Sequence, residues 1–188
     1  MANWCFTTYK IVGDVKELGV LNDKLTELDA METALVPNGF GVLWLGCLVR
    51  ILGGDEENVY CRGEVTEFNL NKEEGVLTMC TETAWAEMDE VRHFLKKVFP
   101  SFEIYFYEEE EEGCQIYRTN DKDGRFFPER YIFGNLEIEG TAYYDDTESL
   151  LEDASESFGR EIKSIDELEH IVEDTEDYYF HCIQIIDK

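Results

Sequence analysis

The chain has 188 residues, 43 of them Asp or Glu and 16 Lys or Arg, for a formal charge of −27 at pH 7. A field of that sign repels nucleic-acid phosphates and anionic lipid heads, so direct binding to DNA, RNA or a membrane surface is not expected, and no basic patch offsets it. Its 44% hydrophobic and 13% aromatic residues exclude a disordered acidic tail, and the length suits one ordinary domain, or a domain with a smaller appendage.

In chain order, NWCFTTYKIV at 3 to 12 has the aromatic and β-branched content of a strand. Asp14 then opens a helix with Glu17 three residues on, and Leu18, Leu21, Leu25 and Leu28 form its apolar stripe. Pro37, Asn38 and Gly39 break the pattern before FGVLWLGCLV, which Arg50 ends well short of the roughly 20 residues that span a bilayer. It reads as a short buried helix closed by Gly53 and Gly54.

Two strands are expected at 59 to 70 and 75 to 83, joined by a hairpin. Thr83 is the expected N-cap of the next helix, with Glu87, Asp89 and Glu90 near its start, Lys96 and Lys97 near its end, and Met88, Val91, Leu95 and Val98 as its buried face. SFEIYFYE alternates, with Phe102, Ile104 and Phe106 on one side. The resulting order β-α-β-β-α-β, with a 37–54 insertion, predicts an α+β fold with a ferredoxin-like core over 1–112, in which two helices cover one face of an antiparallel sheet. Residues 113–188 form an acidic C-terminal α/β extension expected to pack on that core. It comprises strands in GCQIYRT and RYIFGNLEIEGTAYY, a helix from Thr147 with Leu151, Ala154 and Phe158 inward, another opened by the capping box Ser164 and Glu167, and a last strand YYFHCIQII.

The run Glu108 to Glu112 reads first as a solvated hairpin end that discourages edge pairing, and second as a surface for a basic partner. A metal site is not expected there, because successive strand residues point to opposite faces. Thr119 to Gly124 resembles a calcium loop but lacks both anchoring carboxylates, which leaves a polar turn. His93, His170 and His181 belong to no zinc pattern, and His181 beside Cys182 cannot pair within a strand, so Cys182 is expected in the core. No nucleotide-binding glycine pattern or nucleophile elbow is present. Trp4, Trp44 and Trp85 are expected to fill core space, with Trp44 and Trp85 also marking a possible pocket beside the insertion.

The N-terminus lacks the pattern of a secretory signal, and the six cysteines sit in apolar settings as free thiols would, so a cytoplasmic protein is expected. MANWC, WLGCLVRILGG, TETAW at 81 to 85 and EEGCQIYRTND at 111 to 121 resemble the YubB-like family of plasmid, phage and gut-bacterial proteins, described as having a ferredoxin-like domain. The likeness covers about the first two thirds of the chain. It implies that fold and a mobile-element setting, and supplies no catalytic residues.

Together these features favour a non-catalytic protein, without cofactor or metal, whose acidic surface (Glu108, Glu109, Glu110, Glu111 and Glu112) engages a basic protein as a DNA mimic would. The alternatives are an enzyme or small-ligand protein with a pocket near Trp44 and Trp85, and a structural homo-oligomer subunit.

Overall fold

Two residues, Gly13 and Asp14, settle how the chain enters its first helix. In the computed structural model, which describes residues 3–110, 115–136 and 141–187, strand β1 (Trp4–Val12) ends at Gly13 and Asp14 caps helix α1 (Val15–Asp29). The Asp14 carboxylate accepts the amides of Lys16 at 2.9 Å and Glu17 at 3.3 Å, satisfying donors that no helical carbonyl can reach. Glu17 does not close the reciprocal box; it accepts the Ser101 hydroxyl at 2.7 Å, tying α1 to the loop before β4 (Glu103–Glu110).

The chain is a mixed α+β protein that divides into two compact units, Met1–Ile116 and Tyr117–Lys188. In the first, α1 is followed by α2 (Leu45–Ile51), a single turn of tighter helix at Glu56–Asn58, strands β2 (Gly63–Asn71) and β3 (Val76–Ala84), helix α3 (Asp89–Val98) and β4. These strands run in the order β2-β3-β1-β4, and each neighbouring pair is antiparallel. One face of the sheet carries Ile11, Leu77, Met79, Ile104 and Phe106, all buried, together with Leu45 of α2 and Val91 and Leu95 of α3. Leu18, Leu21, Leu25 and Leu28 of α1 are buried as their spacing requires.

Two details of this unit differ from the sequence expectation. Thr83 does not cap α3. It lies within β3, and its hydroxyl donates to the Ala86 carbonyl at 2.8 Å, closing the turn that delays the helix until Asp89. Helix α2 starts five residues after Phe40, because Asn38 gathers the Phe40 and Gly41 amides at 2.7 and 2.8 Å into a polar turn.

The second unit takes in β5 (Ile116–Thr119) from its second residue on, and β6 (Tyr131–Asn135), β7 (Thr141–Tyr144), α4 (Thr147–Phe158), α5 (Ile165–Glu173), β8 (Tyr178–Cys182) and β9 (Gln184–Ile185). Strands β7-β6-β8 form an antiparallel sheet, and β5 pairs β9 in parallel. Phe133, Leu150, Ala154, Ile162 and Leu168 are its core. Leu150, with Ala154, is the fully buried pair of α4, one position earlier than the expected Leu151, and Gly159 ends the helix in the left-handed conformation at φ 62°. Ser164 accepts the Glu167 amide at 3.2 Å while Glu167 accepts that of Lys163 at 2.9 Å, one residue outside the reciprocal box. Between β5 and β6 the buried Asp121 collects the amides of Arg125, Phe126 and Phe127 within 3.1 Å, so the calcium-like segment is a self-satisfied polar turn.

Among the described residues no helix is long and apolar enough to cross a membrane. Replacing Asp14 with Ala removes the α1 cap and is expected to cost about 1 kcal/mol, read as a lower urea midpoint with an unchanged slope.

Candidate functional site

β4 alternates between buried and partly exposed positions along its whole length, and the alternation continues into the glutamates. Glu108 and Glu110 therefore fall on the core face at 1% and 0% exposure, beyond Ile104 and Phe106. The expectation of a solvated run does not hold for these two, and their burial keeps them from meeting a partner's side chains. Glu109 lies on the opposite face, where it accepts the Tyr107 hydroxyl at 3.0 Å. Glu111 and Glu112 lie outside the described residues.

The buried acids belong to a polar network. Glu87, in the turn before α3, accepts both Arg92 Nε at 3.1 Å and Nη2 at 2.8 Å through Oε1, and the Tyr9 hydroxyl at 3.1 Å through Oε2. Its backbone amide donates to Glu108 Oε2 at 2.8 Å, and the Cys5 thiol donates to the same oxygen at 3.4 Å. The Arg92 guanidinium also lies 5.2 Å from the centre of the Phe106 ring.

The network holds its protons. Burial, with Glu108 beside it, pushes the Cys5 thiol up to about 12, and burial next to Glu87 pushes the Tyr9 phenol well above its ordinary value. A thiol so placed is a donor and not a nucleophile at neutral pH. In the sequence, the alternation of β4 and the position of Glu87 between a strand end and a helix start were the only hints of this arrangement.

The outward face of the same sheet is built differently. Pairing places Glu64 of β2 opposite Glu82 of β3, Glu82 opposite Phe6 of β1, and Phe6 opposite Glu109 of β4. One row thus carries three carboxylates and a phenylalanine that is 52% exposed. Burial and then Glu82 hold the Glu64 carboxyl above the usual range, as two like charges facing each other across strands require. Lys10 stands two rows away, donating to Thr78 at 3.0 Å.

The tryptophans do not fill the core. Trp44 lines a cleft of about 510 Å³ with Phe40, Val59, Tyr60, Arg62, Glu57 and Glu90 among its neighbours. Its indole N–H donates to the Cys61 carbonyl at 2.5 Å. Trp85 is not part of this cleft; it is 44% exposed in a left-handed turn at φ 74°. Trp4 is exposed too, edge-on to Phe40 at 6.3 Å. The sequence could not separate these roles, because what places Trp44 in a wall is the return of the chain at Cys61.

In the second unit, His181 stacks on Tyr117 at 4.7 Å, and burial lowers its basicity. Cys182, expected in the core, is exposed: it is the last residue of β8, whose four preceding residues are all half-buried. Among the described residues no group of three or more His, Cys, Asp or Glu side chains is placed to hold a metal ion.

Compared with protein-family models, curated proteins and solved structures, the chain matches none.

Removing one partner of the buried pair leaves an uncompensated charge, so Arg92→Met is expected to cost about 3–5 kcal/mol in urea unfolding, with part of the loss recovered when Glu87→Leu is added. The raised Glu64 carboxyl means that the folded state binds its proton more tightly than the unfolded chain does. Stability is therefore lost as pH rises from the ordinary carboxylate range through the higher folded value. Glu64→Gln is expected to raise the melting temperature at pH 7 and to bring no gain at pH 3.

Proposed function

We propose that this is a non-catalytic binding protein whose acidic surface engages a basic protein, in the manner of a DNA mimic. The observation that carries the reading is the cross-strand row Glu64, Glu82, Phe6 and Glu109 on the outward sheet face. Carboxylates flanking an exposed ring suit arginine and lysine side chains, whose charge meets the acids while their stems or guanidinium planes lie on the aromatic. A basic partner would also relieve the repulsion between Glu64 and Glu82. The net charge of −27 adds a long-range field that steers such a partner and repels nucleic acid.

The first unit is, on this reading, a ferredoxin-like domain. Support comes from the strand order β2-β3-β1-β4, its uniformly antiparallel neighbours, and helices that follow β1 and β3. Membership of the YubB-like family and a cytoplasmic, mobile-element setting belong to the same proposal and rest on the sequence segments that suggested them. A second reading, a small-ligand protein, is favoured by the cleft beside Trp44, whose size falls within the usual range of ligand sites.

Capture from lysate by the immobilised full chain tests the main reading. Basic proteins are expected to bind at low salt, with association slowing about tenfold or more as ionic strength rises. Glu82→Lys with Glu109→Lys is expected to weaken capture further. Partners with no basic bias, held equally at both salts, would refute it.

A further inference from the structure

The cleft at Trp44 has features that an ordinary surface dip lacks. Its aromatic side is held in place: the Trp44 indole is fixed by the Cys61 carbonyl, and its ring folds back over Gly46, where a Cβ would meet ring atoms at 2.3 Å. Only glycine at that position lets the ring lie there. Phe40 is set by its edge-on contact with Trp4, and Tyr60 stands 52% exposed at the rim.

The acidic side is held as well. Glu90 accepts the Tyr60 amide at 2.7 Å, and Glu56 takes both Nε and Nη2 of Arg50 at 2.5 Å. Glu57 makes no ion pair among the described residues. Arg50 neutralises Glu56, and counting Arg62 against Glu57 and Glu90 still leaves the cleft negative within an already negative molecule. The wall itself registers that sign, because after burial it is Glu56 and Glu90 that raise the Cys61 thiol.

We infer that this cleft is the receptor for an arginine side chain of the basic partner, an inference that rests on the reading proposed above. A planar guanidinium stacks on Trp44 or Tyr60 and presents a fork of donors to Glu57 and Glu90, a combination that a lysine ammonium meets less well. The fixed ring means that little ordering is left for binding to require.

N-acetylarginine amide is the probe, titrated into the full-length protein at about 0.15 M salt, where exposed charges beyond about 8 Å are screened. The Trp44 indole N–H, followed in a nitrogen–proton correlation spectrum, is the reporter. A saturable shift is expected with the arginine probe and none with its neutral citrulline analogue. Tyr60→Ala, at an exposed rim position, is expected to weaken binding about threefold to fivefold, and Gly46→Ala to weaken it by displacing the indole. Circular dichroism checks that both variants fold.

Absence of a saturable shift, an equal shift with citrulline, or equal binding of N-acetyllysine amide would overturn the inference. Lysate capture separates it from the broader reading. A basic partner captured equally well by wild type and by Tyr60→Ala removes the cleft and keeps the acidic-surface reading. Arginine-probe binding with no basic protein captured removes the polypeptide source, and with it both proposals.

Discussion

The period of two along β4 is the constraint from which the rest of the first unit follows. Once Ile104 and Phe106 face the helices, Glu108 and Glu110 must face the same way. A carboxylate in that position costs several kcal/mol unless it is hydrogen-bonded. The chain meets that requirement for Glu108 with the Glu87 amide and the Cys5 thiol, and for Glu87 with Arg92 and Tyr9. The turn between β3 and α3 is thereby fixed to the end of β4, and α3 cannot slide without stranding a charge. We read this network as a device for register more than for stability, since an apolar replacement of similar volume is often no worse energetically.

The inward and outward faces of the sheet thus treat the same residue type in opposite ways. The inward Glu87 and Glu108 are engaged by internal partners and buried from anything outside. The outward Glu64 and Glu82 face each other across two strands, with Phe6 and then Glu109 further along the row, so the repulsion between Glu64 and Glu82 is, on the reading proposed above, an energy that an incoming cation would release. Binding capacity follows from which face a carboxylate occupies, and net charge alone does not report it.

The cleft adds shape to that charge. Non-specific electrostatic attraction gives speed and salt dependence, but discrimination among basic partners needs a defined receptor. The fixed rings of Trp44 and Phe40 with the carboxylates of Glu57 and Glu90 supply concavity, a π-face and acceptors together. Gly46 matters through what it leaves out, since any side chain there would displace the ring.

Local signals in the sequence determined most of the elements by themselves. The Asp14 cap, the leucine stripe of α1, the alternation of β4 and the Gly159 stop were all legible, because each depends on neighbours within a few residues. The error at Thr83 has the same root: a residue competent to cap a helix was claimed by a strand whose partners are β1 and β2, far away in sequence. The alternation of β4, carried two steps further, already assigns Glu108 and Glu110 to the inward side; only the tertiary structure decided which groups meet Glu108 there, that Trp44 and not Trp85 lines a cleft, and that Cys182 is exposed. Those outcomes depend on contacts such as Glu87 with Glu108 or Trp44 with Cys61, separated by 21 and 17 positions. The composition of a segment carries no record of what a distant segment will place against it, and so the charge of this protein was evident from its residues while the arrangement of that charge was not.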